Sequence, residues 1–481
     1  MGTLYYGDNL TILREQVKEE SVDLVYLDPP FNSNASYNVL FKAPDGHESH
    51  AQMEAFEDTW HWNETAEKAF DEVMQSGNSD AAEMLRAMRS FLHDNDMMAY
   101  LAMMAVRLLE LHRVLKQTGS LYLHCDPTAS HYLKILLDAI FGKRNYKNEI
   151  IWCYRKWSVA AGQFVRNHDD IHFVTKSGGG GGAAFNVLYT DPSKGTMKRW
   201  KGQKQQAFFE DGVRKATSLE NETAQSPMPD WWEISIINPN AVERLGYPTQ
   251  KPQTLLERII QASSNVGDVV LDPFCGCGTT VHAAQKLKRE WIGIDITHLA
   301  ISLIQKRLRD AFGPIPIDIR GTPKDLEGAV ALAAQDKYQF QWWAVSLVDA
   351  IPYGGKKKGA DSGIDGFIYF KPDGKITEKA IVSVKGGENV GVGMIRDLIA
   401  VVDREKAKMG VLISLAEPTA PMKKEAIAAG FYKTEYGEYA KIQILTVEQL
   451  FAGHKPDMPW IDSTVFKKAK REMKGTQEKL L

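Results

Sequence analysis

The stretch that decides the fold is VDLVYLDPPFN at residues 22–32. Its first six residues have the length and the apolar composition of a buried strand. Proline cannot donate to a sheet ladder, so the strand is expected to end at Asp28, ahead of Pro29 and Pro30. The sequence therefore places an acid, two prolines and an aromatic at the carboxyl end of a strand, where open α/β sheets bind their ligands.

These residues suit the binding of a flat ring that carries an exocyclic amine. Asp28 and the carbonyl of Pro29 can each accept one amine hydrogen, and Phe31 can stack on the ring. The alternative is a structural role, in which the two prolines only turn the chain at the end of the strand.

A second stretch, DVVLDPFCGCGTT at residues 268–280, predicts a buried strand, a turn with two glycines and the start of a helix. Such a turn lets a ligand approach the backbone closely. Its two glycines match no dinucleotide fingerprint, and no P-loop lysine follows. The next strand, near residues 291–296, ends in Asp295, an acid at a distance suited to the hydroxyl groups of a ribose.

Length and composition predict an ordinary soluble protein. A chain of 481 residues predicts two or three domains, and 44% apolar with 25% charged residues is typical of globular proteins. We find no apolar run long enough for a membrane span and no signal peptide, so a cytoplasmic location is expected. The four cysteines lack metal-site spacing. Because the net charge is only −3, any DNA-binding surface must be local.

Asp28-Pro29-Pro30-Phe31 resembles the catalytic motif of S-adenosylmethionine-dependent DNA amino-methyltransferases, which methylate an exocyclic base nitrogen. The order of segments, with the catalytic strand first and the cofactor loop last, is similar to the beta class over roughly residues 1–312. The resemblance implies that these four residues are catalytic. It also implies a Rossmann-like α/β domain with circularly permuted motif order. Double-stranded DNA is the implied partner, and a homodimer is possible because some members pair. The implied origin is bacterial, archaeal or phage.

The same resemblance implies a cofactor site for S-adenosylmethionine. Gly276 and Gly278 would admit the cofactor, Asp295 would take the ribose hydroxyls, and Asp8 would reach the adenine ring. Asp8 equally suits a helix N-cap, and the two roles are compatible. The full set of expected cofactor-binding residues is Asp8, Thr249, Gln250, Lys251, Asp272, Pro273, Phe274, Gly276, Gly278, Thr279 and Asp295.

The resemblance favours adenine N6 as the methylated atom. In this family Asp at the first catalytic position goes more often with adenine, Ser with cytosine N4, and Asn with protein glutamine. Carbon-5 methylation of cytosine needs a cysteine after a proline, and no Pro-Cys pair occurs in the chain. N4-cytosine methylation stays open as the alternative.

Between the two halves of the methyltransferase domain, 1–154 and 246–312, residues 155–245 are expected to recognise the DNA target. Eleven Lys or Arg against five Asp or Glu lie between residues 154 and 215, which suits a surface that contacts phosphates. An ordinary solvated insertion is the alternative. The aromatic residues interleaved with these charges are Trp157, Phe164, Phe173, Tyr189, Trp200, Phe208 and Phe209.

After a linker at 313–330, residues 331–455 predict a smaller α/β domain, followed by a basic tail at 456–481. Asp365, which ends one arm of a predicted hairpin, and Lys385 on the next resemble the restriction-endonuclease fold, in which an acid and a second acid or glutamine hold magnesium while a lysine assists water attack. Ser383 stands where the second metal ligand is expected. We therefore expect a nuclease-like module that binds DNA or the methyltransferase domain.

Three alternatives to this organisation stay open. An active magnesium-dependent nuclease would make the chain a combined restriction-modification protein. The C-terminal region is otherwise an unrelated α/β domain. A catalytically idle DNA-binding protein that keeps the fold is the third reading.

Overall fold

The structure is a computed structural model that describes the chain apart from residues 1, 31–34, 43–47, 59–60, 157–161, 178–181, 193, 202, 212, 224, 239–240, 242, 246, 248, 354–362, 374–375, 436, 460–471 and 473–481. Phe31, Trp157 and the basic residues of the tail lie outside the described residues.

The described strands and helices alternate along much of the chain. The strands are β1 Gly2–Tyr6, β2 Val22–Leu27, β3 Ala35–Lys42, β4 Glu48–Asp58, β5 Leu115–Cys125, β6 Tyr146–Cys153, β7 His168–Thr175, β8 Tyr189–Thr190, β9 Gln203–Glu210, β10 Val213–Thr223, β11 Ser226–Pro227, β12 Trp231–Glu233, β13 Val269–Asp272, β14 Glu290–Asp295, β15 Ile317–Arg320, β16 Ile351–Pro352, β17 Gly366–Phe370, β18 Glu378–Lys385, β19 Met409–Ser414, β20 Phe431–Thr434, β21 Gly437–Ala440 and β22 Ile442–Thr446. The helices are α1 Asn9–Gln16, α2 Glu64–Gln75, α3 Ser79–Leu92, α4 Asp96–Val114, α5 Ser130–Phe141, α6 Lys194–Trp200, α7 Gln253–Ser263, α8 Thr279–Lys286, α9 His298–Phe312, α10 Leu326–Gln335, α11 Lys337–Leu347, α12 Val392–Arg404, α13 Ala420–Ala428 and α14 Val447–Phe451.

The larger sheet brings the two halves of the predicted methyltransferase domain together. Among the described residues its nine strands have the order β12, β6, β7, β5, β2, β13, β14, β1, β15. The strands from β5 to β15 are parallel, and β7 runs antiparallel between β5 and β6. In the pairing of β2 with β13, Leu24 lies opposite Val270 and Val25 opposite Leu271. The carboxyl ends of the two motif-bearing strands are therefore neighbours at one edge of the sheet.

Helices cover both faces of this sheet. Because side chains alternate along a strand, Val25 and Leu27 pack into one core with α1 and α4, whereas Leu24 and Tyr26 face the other core. That second core also contains apolar residues of α7, α8 and α9. The result is the three-layer, Rossmann-like α/β fold with permuted motif order that the sequence predicted, and the fold class is confirmed.

Three sequence-based boundaries differ from the structure. The expected linker contains β15, which pairs with β1, because Ile317 and Ile319 alternate with polar residues as a sheet strand requires. Residues 155–245 include β7, which lies inside the sheet, and Phe173 on it is buried against Tyr122 with ring centroids 4.5 Å apart. Apolar residues at helical spacing predict that residues from about 45 to 116 are mainly helical; α2, α3 and α4 lie there, but the region begins with the hairpin strand β4.

The C-terminal residues form a second, smaller α/β unit. Its sheet has the order β16, β17, β18, β19, β22 among the described residues, with β17 antiparallel to β18 and the later neighbours parallel. Helices α10, α11 and α14 pack on one face, and α12 and α13 pack on the other. Across the described part of the chain, we find no helix with the length and apolarity to cross a bilayer.

Candidate active site

A pocket of about 280 Å³ lies at the carboxyl edge of the parallel strands. It joins the ends of β1, β2, β13 and β14 with the segment that precedes α7. Its lining includes Gly7, Asp8, Asn9, Tyr26, Asp28, Pro29, Pro30, Arg107, Tyr247, Thr249, Gln250, Lys251, Asp272, Pro273, Phe274, Cys275, Gly276, Cys277, Thr279, Thr280, Asp295, Ile296 and Thr297.

Most of the residues predicted for catalysis and cofactor binding meet in this pocket. Two of them are not in its lining. Gly278 is the N-cap of α8 and lies between the lining residues Cys277 and Thr279, and Phe31 lies outside the described residues. Segments at the two ends of the methyltransferase domain therefore share one cavity.

The carboxylate of Asp28 is paired with a lysine from the far half of the domain. The Nζ atom of Lys251 lies 2.5 Å from Oδ2 of Asp28, and both side chains are largely buried. We predicted Lys251 as a cofactor residue; it lines the pocket, but its ammonium group contacts the expected catalytic acid. The segment 249–251 therefore lines the pocket and also contacts Asp28 at the end of β2.

A hydrogen-bonded network lies behind Asp28. The hydroxyl of Tyr26 is 2.8 Å from Nδ1 of His124, and Nε2 of His124 is 3.2 Å from Oδ2 of Asp169. The hydroxyl of Tyr154 donates to the other oxygen of Asp169 at 2.8 Å. Although burial opposes ionisation, the hydrogen bond and charge of His124, and then the charge of Lys251, lower the pKa of Asp169 to about 2. The ionised carboxylate can only accept, so Nε2 of His124 donates to it.

The turn after β13 depends on the absence of side chains at its two glycines. Gly276 has φ +48°, and a Cβ there would lie 3.3 Å from the ring of Tyr247. Gly278 has φ +73°, and a Cβ would lie 2.7 Å from Cγ1 of Ile304. Both backbone angles are in the left-handed region that favours glycine. The turn can therefore lie close to its neighbours and leave the pocket open.

Asp295 holds this turn in place. Its Oδ2 accepts the backbone N–H of Gly276 at 2.9 Å, and its Oδ1 accepts the backbone N–H and the hydroxyl of Thr297, each at 2.9 Å. Oxygens of a carboxylate have two lone pairs each, so these bonds leave acceptor capacity for a ligand hydroxyl.

The two inner carboxylates of the pocket have raised pKa values. Burial raises the pKa of Asp272 to about 7, against the opposing hydrogen bonds from Thr280 and the Phe274 N–H. Burial likewise raises the pKa of Asp295 to about 6. Among the described residues, neither has a Lys, Arg or His at ion-pair distance. The inner pocket therefore favours a ligand that brings positive charge.

Asp8 has the structural role that the sequence left open and also lines the pocket. Its Oδ1 accepts the backbone N–H of Thr11 at 3.0 Å, so it is the N-cap of α1. Its Oδ2 pairs with Arg107 at 3.1 Å, and Arg107 also donates to Asn9 at 2.7 Å. Asn9 in turn donates to the carbonyl of Pro273 at 2.9 Å. These contacts connect the end of β1 to the turn between β13 and α8.

A buried arginine also stabilises the turn between β13 and α8. Arg307 on α9 donates to the carbonyl of Cys277 at 3.2 Å and to the hydroxyl of Thr279 at 3.1 Å. Its Nε lies 3.3 Å from Nδ1 of His282, whose Nε2 lies 3.3 Å from Glu472. Burial lowers the pKa of His282 to about 4, so the ring is neutral at pH 7 and its contact with Glu472 is a hydrogen bond rather than an ion pair.

The sequence interpretation missed several residues of the site. Tyr26 is on β2, two residues before Asp28, which directly follows that strand; continuing the period-2 alternation by one residue would have placed both side chains on one face. Arg107 is the single arginine in the otherwise apolar middle of α4, a signal that a buried partner exists. Asp169 and Arg307 gave no local signal, because their partners are distant in sequence.

The nuclease-like residues have a different geometry. Oδ2 of Asp365 accepts the backbone N–H of Val384 at 2.5 Å, and the side chain is buried. Ser383 is buried on β18, and Lys385 ends that strand opposite Ser414. Within the described residues, which leave out 354–362, no three potential metal-binding side chains lie together.

Comparison with known proteins places this pocket in a family. The model of the N6/N4 DNA methylases matches residues 22–306, more than half of the 481 residues. The chain belongs to the N6/N4 DNA methylase family. The match contains the two motif-bearing strands, β2 and β13, and the turn between β13 and α8.

Individual relatives agree with this family. The methylase is 24% identical over 366 residues to the type II methyltransferase M.EcaI of Enterobacter cloacae, covering 65% of this chain and 70% of that protein. It is 25% identical over 307 residues to the DNA adenine methyltransferase YhdJ of Escherichia coli, covering 64% of this chain and 82% of that protein. A Thermus thermophilus structure with bound S-adenosyl-L-methionine is 17% identical, with TM-score 0.37, covering 66% of this chain and 98% of that chain.

The methylase uses S-adenosylmethionine, the predicted cofactor, as the family does. The pocket fits this group chemically. Its inner carboxylates suit the sulfonium and ammonium charges, Asp295 keeps acceptor capacity for hydroxyl groups, and the two glycines open the turn. The residues present therefore agree with the cofactor.

The C-terminal unit of the methylase matches a second family model. The model described as NACHT-associated inactive Restriction Endonuclease 1 matches residues 345–452. This confirms the predicted likeness to restriction endonucleases. It agrees with the missing second acid at Ser383.

Proposed function

We propose that this DNA methylase transfers a methyl group to the N6 amine of adenine in double-stranded DNA. The observation that carries the proposal is the shared pocket, in which Asp28 and the turn at Gly276 line one cavity. A methyl donor and an acceptor amine must meet at bonding distance, and a shared cavity between the two motifs allows this.

We assign cofactor binding to the inner part of the pocket. Asp295 would accept the ribose hydroxyls, and Asp272 with Pro273 and Phe274 would lie beside the methionine portion. Asp8 would contact the adenine edge, which agrees with its position at the β1 end. Thr249 and Gln250 directly precede Lys251, the partner of Asp28. Gly276 and Gly278 keep the turn open, and Thr279 is the first residue of α8.

Catalysis is assigned to Asp28, Pro29, Pro30 and Phe31. S-adenosylmethionine supplies an electrophilic methyl group. Asp28 and the carbonyl of Pro29 would accept the two amine hydrogens, which turns the nitrogen lone pair out of conjugation with the ring. Asp28 can hold the proton that the amine loses, and Phe31 would stack on a base that has left the duplex.

Lys251 and the network behind Asp28 would orient its carboxylate. The ammonium of Lys251 contacts one oxygen of Asp28, and Tyr26 lines the same pocket with its hydroxyl hydrogen-bonded to His124. An acceptor held in a fixed position costs little reorganisation during the reaction. These residues would therefore position Asp28 rather than touch the base.

Adenine is favoured over cytosine by the acid at the first catalytic position. Asp28 occupies the position where the N4-cytosine enzymes more often have serine. The adenine specificity in the name of the relative YhdJ is consistent with this choice.

DNA would be contacted by exposed residues of the segment between β6 and α7, outside strand β7. Phe164 is 98% exposed and Phe209 is 74% exposed, and Lys198 and Arg199 are exposed in the same part of the chain. Cations position a protein on phosphates, and exposed aromatics can contact unstacked bases. We assign this role to the exposed part of residues 155–245, without strand β7.

We also propose that the nuclease-like unit does not cut DNA. The carboxylate of Asp365 accepts a backbone hydrogen bond, and Ser383 lacks a carboxylate for magnesium. Magnesium is accordingly not a proposed cofactor.

Product identity tests the proposed function. Unmethylated DNA is incubated with methyl-labelled S-adenosylmethionine, digested to nucleosides and analysed by mass spectrometry, with Asp28→Ala as the matched control. We expect labelled N6-methyldeoxyadenosine from the wild type and none above background from the variant. N4-methyldeoxycytidine as the only product would contradict the adenine assignment, and no labelled nucleoside would contradict methyl transfer to DNA.

A further inference from the structure

We infer that the nuclease-like unit supports the cofactor pocket by packing behind its lining, and that Trp342 on α11 is a positioning residue for S-adenosylmethionine binding. The inference rests on the proposed cofactor site. It gives a non-cleaving unit a role inside the methyltransferase.

The contact that carries the inference is a small apolar cluster between the two units. Trp342 packs with Tyr247, Cys277 and Leu299, with Leu303 at its edge. All four main members are buried, and the side chain of Trp342 is only 4% exposed. Tyr247 and Cys277 also line the pocket, so one side of each faces the cavity and another side faces α11.

Tyr247 transmits this contact to the turn between β13 and α8, which we have proposed to bind the cofactor and call the cofactor turn. Its ring lies where a Cβ at Gly276 would be only 3.3 Å away, so the ring and the turn are in close contact. Trp342 packs in the same buried cluster as this ring. Without the indole, Tyr247 would lose the packing that holds it against the turn, because interiors have little spare volume.

A second contact joins the same regions near β1. Tyr6 packs against the apolar cores of both units, and its ring stacks on His298 with centroids 3.6 Å apart. Tyr6 directly precedes the pocket residue Gly7, whose N–H bonds to the carbonyl of Asp295 at 3.0 Å. His298 begins α9, and α11 packs along that helix. The nuclease-like unit thus supports both the β1 end and the Tyr247 side.

The neighbouring Trp343 provides a matched control. It is buried at 4% exposure like Trp342, but it packs in the core of the nuclease-like unit beside Phe340 and Phe451. The two tryptophans therefore separate support of the pocket from general stability of the unit.

The test uses the full-length chain and measures S-adenosylmethionine binding by titration calorimetry, at a temperature where circular dichroism shows each variant folded. Trp342→Ala is expected to raise the Kd on the order of tenfold, typical of coupling between sites. Trp342→Phe should restore most of the affinity, and Trp343→Ala should bind like the wild type. In steady-state assays Trp342→Ala should raise the KM for the cofactor and leave the kcat nearly unchanged.

Two results would overturn the inference: an unchanged Kd in Trp342→Ala, or an equal rise in Trp343→Ala, which would indicate a loss of general stability. If Trp342→Ala does not fold, Trp342→Leu replaces it with the same expectations. A wild type that binds no S-adenosylmethionine would instead contradict the proposed cofactor site, so the two failures are distinguishable.

Discussion

Asp28 directly follows strand β2 of the larger unit, and Asp365 directly precedes strand β17 of the smaller one. The surroundings of these two acids differ. Asp28 faces a cavity of about 280 Å³ and pairs with Lys251 from another segment. Asp365 is buried and its carboxylate accepts the N–H of Val384 on the adjacent strand. The first acid keeps access to a ligand, whereas the second has become part of the hydrogen bonding of its sheet.

The difference teaches that an acid in a motif indicates chemistry only when space and partners accompany it. Around Asp28, the ends of four strands and the segment before α7 converge and leave a cavity open. Near Asp365, position 383 holds a serine instead of a second carboxylate. The carboxylate of Asp365 itself accepts a hydrogen bond from the backbone. The same type of residue is thus assigned to catalysis in one unit and to stability in the other.

The largest expected effect concerns methyl transfer. Asp28→Ala should lower the rate on the order of 10²–10³-fold, because an oriented acceptor at the reacting amine is lost. The Kd for S-adenosylmethionine should change far less. Asp365→Asn, measured in the same assay, should transfer at the wild-type rate; equal losses in the two variants would erase the contrast between the two acids.

The cofactor turn gives the next effect. In Gly278→Ala the new methyl group would meet buried Ile304 at 2.7 Å and would force a left-handed alanine. We expect a loss of about 2–4 kcal/mol in the free energy of unfolding, with weaker cofactor binding. Gly267→Ala is the control, because its φ is +90° and nothing lies within 4 Å of the added Cβ. A control that loses as much stability would show that backbone strain alone explains the effect.

The stability role of Asp365 can be measured directly. Asp365→Ala leaves the buried N–H of Val384 without this acceptor and should destabilise the nuclease-like unit by about 1–3 kcal/mol in chemical unfolding. Asp365→Asn keeps an acceptor oxygen and should lose less. Added magnesium should not raise the melting temperature of the wild type. A magnesium-dependent increase that disappears in Asp365→Asn would indicate a metal site and contradict the comparison.

The smallest effect is the pH dependence of cofactor binding. Asp272 has a pKa near 7 in the free protein, and a cationic ligand favours its ionised form. Binding must therefore release a proton below that pKa, so affinity should fall as the pH falls, by roughly tenfold for this group between pH 8 and pH 6. Calorimetry in buffers of different ionisation enthalpy measures the proton release. Asp272→Asn should show a weaker pH dependence, and identical profiles would contradict the assignment.

Sequence patterns predicted the central part of the molecule well, for physical reasons. Strand β2 is a mainly apolar run that ends before two prolines. The turn at Gly276 contains two glycines, which indicate that a ligand can approach the backbone closely. Their pairing in one sheet followed from the family resemblance and is present in the register of Leu24 with Val270.

Other features could not be predicted because they depend on tertiary contacts. The partner of Asp28 is Lys251, and the support of the cofactor turn comes from Arg307 and Trp342, all distant in sequence. The strand β15 was hidden by the prolines before it, which indicated a linker. Strand β7 was assigned to the DNA-binding region because local charge outweighed its apolar alternation.

A crystal structure of the protein with bound S-adenosylmethionine tests the central claim most directly. We predict that the cofactor occupies the cavity between Asp28 and Asp295, with its methyl group facing the Asp28 carboxylate. A cofactor bound at another surface, or an Asp28 side chain turned away from the bound methyl group, would contradict the shared site.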